Sequence, residues 1–294
     1  MIRIGISGWL YPAWRQTFYP KGLPQRRELG YASRVFNTIE INGTFYSLQS
    51  PASFCRWRDE TPDDFVFAVK GARFITHMKQ LLDCETALAN FFAQGVLALG
   101  RKLGPILWQL PARMPFDATR IERFLALLPR DTTAASRLAR HRDRRIMAGR
   151  TLLAPAPATP LRHALEVRHE SFRDPRFLAL LRRAGVALVV SDAPDWPRFE
   201  EITADFLYLR LHGAHELYAS GYDGPALDLW AERITRWAGR AGKNRRLRDI
   251  HVYFDNDAKV RAPPDALALA ARLGVNASAA APARAAAAAE SRIM

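Results

Sequence analysis

Eight short apolar runs, rich in β-branched and aromatic residues, constrain this chain more than any other feature. They lie at Ile2–Gly8, Thr38–Ile41, Phe65–Val69, Pro105–Leu110, Ala164–Val167, Val186–Val190, Phe206–Leu211 and Ile250–Phe254. Most are continuous rather than alternating, which is the pattern of parallel strands covered on both faces. Parallel neighbours need long crossovers, and helical periodicity fills most of the gaps. The clearest case is Asp174-Pro175 followed by Phe177, Leu180, Leu181 and Ala184 and closed by Gly185. An N-cap, a first-turn proline and a terminal glycine there agree on one helix. Leu88, Phe91, Phe92, Val96 and Leu99 predict another; so do Ile121, Phe124, Leu125 and Leu128, and then Leu227, Trp230, Ile234 and Trp237. These stripes read as core.

Strands alternating with helices define an α/β protein. Eight of them in 294 residues fit a single closed (β/α)8 barrel of the TIM type better than an open doubly wound sheet. The expected organisation is one barrel domain over residues 1–275 and an Ala-rich, low-complexity tail over 276–294. Two connections depart from the regular unit. The sixth, Asp192 to Phe206, contains Pro194 and Pro197 and leaves room for only a short helix. The fourth, Ala112 to Leu161, holds an Arg-rich insert at about 130–160 that reads as an exposed excursion.

The charge is uneven. The formal net charge is +14; residues 120–150 carry nine arginines against three acids, a net of +6, and residues 233–248 carry a net of +7 with no acid. Such concentration suits polyanions, so nucleic acid enters as a candidate partner. Six lysines against 37 arginines, beside so much alanine, also fit a biased genome. No apolar run approaches the roughly 18 residues that span a bilayer, and the chain enters its first strand at once, so no membrane partner and a cytoplasmic protein are expected. Cys55 and Cys84 lack metal-ligand spacing and read as reduced thiols.

In a parallel barrel the residues near the carboxyl ends of the strands meet at one mouth. Polar residues collect there. Strand two gives Glu40 and Asn42, with Thr44 and Tyr46 beyond; strand three ends in Lys70, with His77 in its loop; strand four ends near Gln109. Strand five reads Glu166-Val167-Arg168-His169, six ends Ser191-Asp192, seven carries Arg210 and His212, and eight ends Asp255-Asn256-Asp257. Glu166 and Arg168 share parity, as do Arg210 and His212, so each pair points the same way. Charges inside an apolar strand cost several kcal/mol unless paired or functional, so the alternatives are a site or a buried ion-pair plug.

These motifs, in order, resemble those of the YecE-like family, also called domain of unknown function 72. The resemblance rests on Trp9 after Ile-Gly-Ile-Ser-Gly, the run Ile39 to Tyr46, Phe67 to Lys70 with Ile75-Thr76-His77, and Trp108-Gln109-Leu110-Pro111. Glu166 to Phe172, Leu209 to Gly213 and Tyr253 to Ala258 complete it, over roughly residues 2–275. It implies a TIM-type barrel and no settled activity. Where many relatives carry two successive Asn after strand eight, this chain has Asp255-Asn256.

Two chemistries compete at the mouth. Glu40, Glu166, Asp192, His212 and Asp255 are metal-ligand types, but Lys70, Arg168 and Arg210 nearly neutralise the carboxylates and no zinc spacing such as HExxH occurs, so a divalent metal is not favoured and the cofactor is unassigned. An anion site fits the mixture better. Lys70, Arg168 and Arg210 would hold a phosphate or carboxylate, with Glu40, Glu166, Asp192 and His212 as acid/base groups. Asn42, His77, Gln109 and Asn256 would add polar contacts, and Trp9, Tyr46, Tyr218 and Tyr222 would wall the site. The expected ligand is an anionic small molecule or a phosphodiester, and the expected enzyme a hydrolase, lyase or isomerase. The alternative is a non-catalytic nucleic-acid-binding barrel. Gly5-x-x-Gly8 lacks the remainder of any nucleotide fingerprint, and neither Ser7 nor Ser191 sits in a nucleophile elbow.

Overall fold

The computed structural model describes residues 1–153, 157–244, 247 and 249–275. Strands β1 (Ile2–Ser7), β2 (Thr38–Ile41), β3 (Val66–Lys70), β4 (Leu103–Gln109), β5 (His163–Glu166), β6 (Ala187–Asp192), β7 (Phe206–Leu211) and β8 (Asp249–Phe254) pair in parallel and in chain order, and β8 returns to β1. The barrel is closed, as the strand count led us to expect. Closure demands close approach at β1, where a Cβ on Gly5 would lie 1.9 Å from the Thr38 carbonyl oxygen. Any side chain there would push β1 off β2.

Register fixes two faces. Ala68, Leu107, Ala164, Ala187, Val189, Phe206, Tyr208 and Tyr253 point inward and fill the lower barrel. Their alternates, among them Ile39, Phe67, Ile106, Leu165, Leu188, Leu209 and Val252, meet the helices in a larger outer core. The layers are built by α1 (Glu28–Val35), α2 (Gly43–Tyr46), α3 (Pro51–Glu60), α4 (Glu85–Ala93), α5 (Ala118–Leu127), α6 (Thr132–Ala139), α7 (Pro175–Ala184), α8 (Gly224–Asn244) and α9 (Ala262–Arg272). The caps of α7 are those read from sequence: Asp174 accepts from the Arg176 amide, and Gly185 closes the helix.

Three expectations need correcting. The stripe from Leu88 to Leu99 is not one helix, because Gly95 adopts a left-handed conformation (φ 105°) that ends α4 and starts a tighter 3-10 segment, Val96–Lys102. The sixth connection holds no helix at all: β6 passes to β7 through turns around Pro194 and Pro197. The Arg-rich insert is not a free excursion. It forms α6 and a following turn, burying Thr132, Ala135, Ala139 and Met147. The Asp143 amide donates to Asn90 Oδ1 of α4, and the Leu152 amide to the Ala93 carbonyl. Residues 154–156 and the Ala-rich tail lie outside the described residues. No helix among the described residues is long and apolar enough to cross a membrane.

Candidate functional site

The carboxyl ends of the strands meet in a polar cluster centred on Arg210 of β7, whose side chain is fully buried. Burying a guanidinium is costly unless its donors are taken, and all of this one's are in use. Nε and Nη2 fork onto Glu40 Oε2 and Oε1 at 3.1 and 2.9 Å, Nη1 reaches Glu166 Oε2 at 2.9 Å, and Nη2 also reaches Asp255 Oδ2 at 2.8 Å. Glu40 accepts further from the Tyr208 hydroxyl at 2.6 Å and from Ser7 Oγ, which in turn accepts from Asn42 Nδ2 at 2.8 Å. β1, β2, β5, β7 and the end of β8 are thus tied together by one cation.

Arg168 extends the cluster upward. Its Nε donates to Glu166 Oε1 at 2.6 Å while its guanidinium lies on the Trp196 ring, Cζ 3.6 Å from the centroid. Burial alone would raise the Glu166 carboxyl, but Arg168 and Arg210 reverse this and hold it well below the usual carboxylate range. Asp255 is likewise held low against burial, chiefly by Arg210. His212 is fully buried, Nδ1 3.1 Å from Asp255 Oδ2 and Nε2 3.8 Å from Glu166 Oε1. Burial and Arg210 lower its pKa, so its imidazole is neutral. This floor is formally balanced: Glu40, Glu166 and Asp255 against Arg210, Arg168 and Lys70.

A cavity of about 650 Å³ opens above the floor. Phe45, Tyr46, Lys70, Arg73, His77, Met78, Gln109, Arg113 and Tyr218 line it, three cations and no carboxylate. Lys70, at the end of β3, is only 7% exposed, and its Nζ sits over the Phe45 ring, 4.5 Å from the centroid. Burial and the Arg210 charge pull its pKa down to about 8 against the opposing carboxylates. His77 packs edge-on against the same Phe45 ring and is neutral, its pKa lowered to about 4 by burial and by Arg168, Lys70 and Arg113. Among the described residues, no cluster of three His, Cys, Asp or Glu has the geometry to hold a metal ion.

The family profile described as "Protein of unknown function DUF72" matches residues 3–290. The chain belongs to the DUF72 family. It is similar to UPF0759 protein YecE of Escherichia coli strain K12, 35% identical over 130 residues that make up 44% of this chain and 45% of that protein. UPF0759 protein YunF of Bacillus subtilis strain 168 is 30% identical over 38% of this chain and 40% of its own. These matches therefore span less than half the length of either relative. A crystal structure of a DUF72 family protein from Thermotoga maritima has a TM-score of 0.72 at 25% identity, covering 93% of this chain and 99% of that one.

Within this DUF72 barrel the sequence-derived residues divide. Glu40, Asn42, Glu166, Arg168, Arg210 and His212 meet in the floor, and Tyr46, Lys70, His77 and Gln109 line the cavity above it. Four do not join them. Asp192 pairs in register with the outward-facing Leu211, and its carboxylate accepts from Tyr222 at 2.9 Å and Arg198 at 3.0 Å. The inward residue of that strand end is Ser191, opposite Arg210. Asn256 also turns outward, donating to Asp265 and to the Ser220 carbonyl. Trp9 packs on Trp57 and Phe67 in the outer core, and Tyr222, committed to Asp192, does not wall the cavity. Arg168 and Arg210, expected to grip a ligand, are spent on Glu166 and Glu40; the open cations are Lys70, Arg73 and Arg113.

Ser7, Tyr208, Trp196, Arg73 and Arg113 were missed. Parity with Glu40 and Arg210 would have found the first two. Asp255, weighed above only as a metal ligand, is an Arg210 partner, a role in which a negative charge is wanted. Trp196 and Arg113 sit in loops and Arg73 at the start of the short helical segment after β3, where no periodicity orients a side chain.

Proposed function

We propose that the mouth binds a small molecule carrying a phosphate or carboxylate and works on it by acid/base chemistry. One observation carries this reading: the cavity wall presents Lys70, Arg73 and Arg113 with no carboxylate. Neither arginine forms an ion pair with a described acid, whereas every acid of the floor is paired to an arginine beneath. Arg73 and Arg113 stand exposed at the rim with no described acid to cancel them, above the buried Lys70, and so attract an entering anion. The arginines would take the anionic group by their planar forks. Lys70, its pKa lowered to about 8, can exchange its proton near neutral pH, while Glu166, held ionised, serves as a base or a fixed negative charge rather than as an acid.

Calorimetric titration with inorganic phosphate tests this. Millimolar or tighter binding that weakens about ten-fold or more in Arg73→Ala/Arg113→Ala is expected, since a charge-assisted bond is worth about 1.5–3 kcal/mol. No heat from the wild type, or an indifferent double variant, overturns it.

A second reading, non-catalytic nucleic-acid binding, is favoured by one patch. Arg137, Arg140, Arg144, Arg145 and Arg150 of the insert are exposed, with no ion pair to a described acid. The 233–248 stretch supports it less. Arg233 is 3.3 Å from Glu200, so its charge is partly cancelled, and Arg245, Arg246 and Arg248 lie outside the described residues. Counterion release requires oligonucleotide affinity to fall steeply between about 50 and 200 mM salt, and salt-independent binding or none rejects it.

A further inference from the structure

We infer that Lys70 is an imine-forming amine, and that the ligand of the mouth is an aldehyde or ketone bearing a phosphate or carboxylate. The inference rests on the anion reading above and names the group that would react. Lys70 makes no ion pair with a described acid: its side chain is largely buried, and its Nζ faces the cavity beside the Phe45 ring. The carboxylates below it, Glu40, Glu166 and Asp255, are bonded to Arg210 and Arg168 instead. Desolvation beside another cation is the arrangement that makes a lysine nucleophilic. The pKa of about 8 leaves roughly a tenth of the amine unprotonated at neutral pH.

The remaining parts are in the wall. Arg73 and Arg113 can anchor the anionic end and so place the carbonyl carbon at Nζ. The amine lone pair forms the C–N bond and a proton passes from nitrogen to the carbonyl oxygen, giving a carbinolamine. Its C–O bond then breaks, with one further proton completing the water that leaves. The product is a protonated imine, so that ammonium plus carbonyl compound balances against iminium plus water. The neutral His77 ring and the Tyr218 hydroxyl face the same space and can carry those protons. An iminium draws electrons from the adjacent carbon, so proton transfer or carbon–carbon cleavage there is the reaction class that follows.

The test uses the full chain with pyruvate and, separately, dihydroxyacetone phosphate, each with cyanoborohydride, followed by intact mass and peptide mapping. Only six lysines are present, so the map is unambiguous. A reduced adduct forming at Lys70 about ten-fold or more faster than at any other lysine is expected. It should be absent in Lys70→Arg, slowed in Arg73→Ala/Arg113→Ala, and suppressed by excess inorganic phosphate. Should Lys70→Arg fail to fold, phosphate protection of the wild type takes its place. Labelling of Lys70 no faster than of the other lysines with both compounds overturns the inference. If phosphate still binds through Arg73 and Arg113 in that case, the anion reading stands and only the imine falls; if phosphate does not bind, both fall.

Discussion

Replacing Arg210 by methionine tests whether one buried cation holds the barrel mouth together. The substitution keeps most of the side-chain volume and deletes the donors to Glu40, Glu166, Asp255 and Ser7. The three carboxylates do not suffer equally. Glu166 keeps Arg168 at 2.6 Å, and Asp255, unlike the other two, has a side chain that is 10% exposed and keeps solvent. Glu40, with no exposed surface, keeps only the hydroxyls of Ser7 and Tyr208. The loss is thus that of one orphaned buried charge, about 3–5 kcal/mol, not three times that. For a domain of this size it corresponds to a fall in Tm of roughly 10 °C. The pH dependence should change as well. In the wild type Glu166 and Asp255 are held low, so their contribution is present above the unfolded carboxylate pKa of about 4 and is lost as pH falls toward the folded values. In Arg210→Met these two carboxyls lose one of the cations that hold them low, so less stability should be lost between about pH 5 and pH 3 than in the wild type. Urea denaturation at both pH values reads this directly. Adding Glu40→Gln to Arg210→Met should recover about half the loss or more. A single variant within about 1 kcal/mol of wild type, with an unchanged pH slope, would refute the reasoning.

Gly5→Ala should cost about 3 kcal/mol or more, because its Cβ meets strand backbone that cannot retreat without opening the β1–β2 seam; a Tm within 2 °C of wild type contradicts this. Sulfate, which does not titrate in this range, should bind more weakly as pH rises from about 7 to 9 and the Lys70 ammonium is lost; the dependence should vanish in Lys70→Met, and a flat wild-type profile argues against a charged Lys70 in the wall. Asp192→Asn should lower stability by about 1 kcal/mol through its bond to Tyr222 while leaving sulfate affinity unchanged; a marked loss of binding would return Asp192 to the site.

The barrel was legible because buried parallel strands leave continuous apolar runs, and eight of them with crossovers admit few topologies. The floor was legible for the same reason, since Glu40, Glu166, Arg210 and His212 sit within or directly after strands where charge is costly. Asp192 failed because a strand end was read by position and not by parity: counting inward from Ala187 and Val189 lands on Ser191. Gly95 hid inside a stripe whose hydrophobic spacing continues across the break, which shows that periodicity reports a buried face and not an unbroken backbone. Arg73, Arg113 and Trp196 were illegible in principle, because a side chain in a loop or at the start of a single helical turn acquires direction only from the tertiary contacts that hold it.

The helix-free sixth connection has an optical consequence. Six of the seven tryptophans, Trp9, Trp14, Trp57, Trp108, Trp230 and Trp237, are buried. Trp196 is half-buried, against Arg168, His212 and Tyr218 at the rim of the cavity. A collisional quencher such as acrylamide therefore reaches this indole ahead of the other six, and the quenchable fraction of the emission is a native light signal from the mouth.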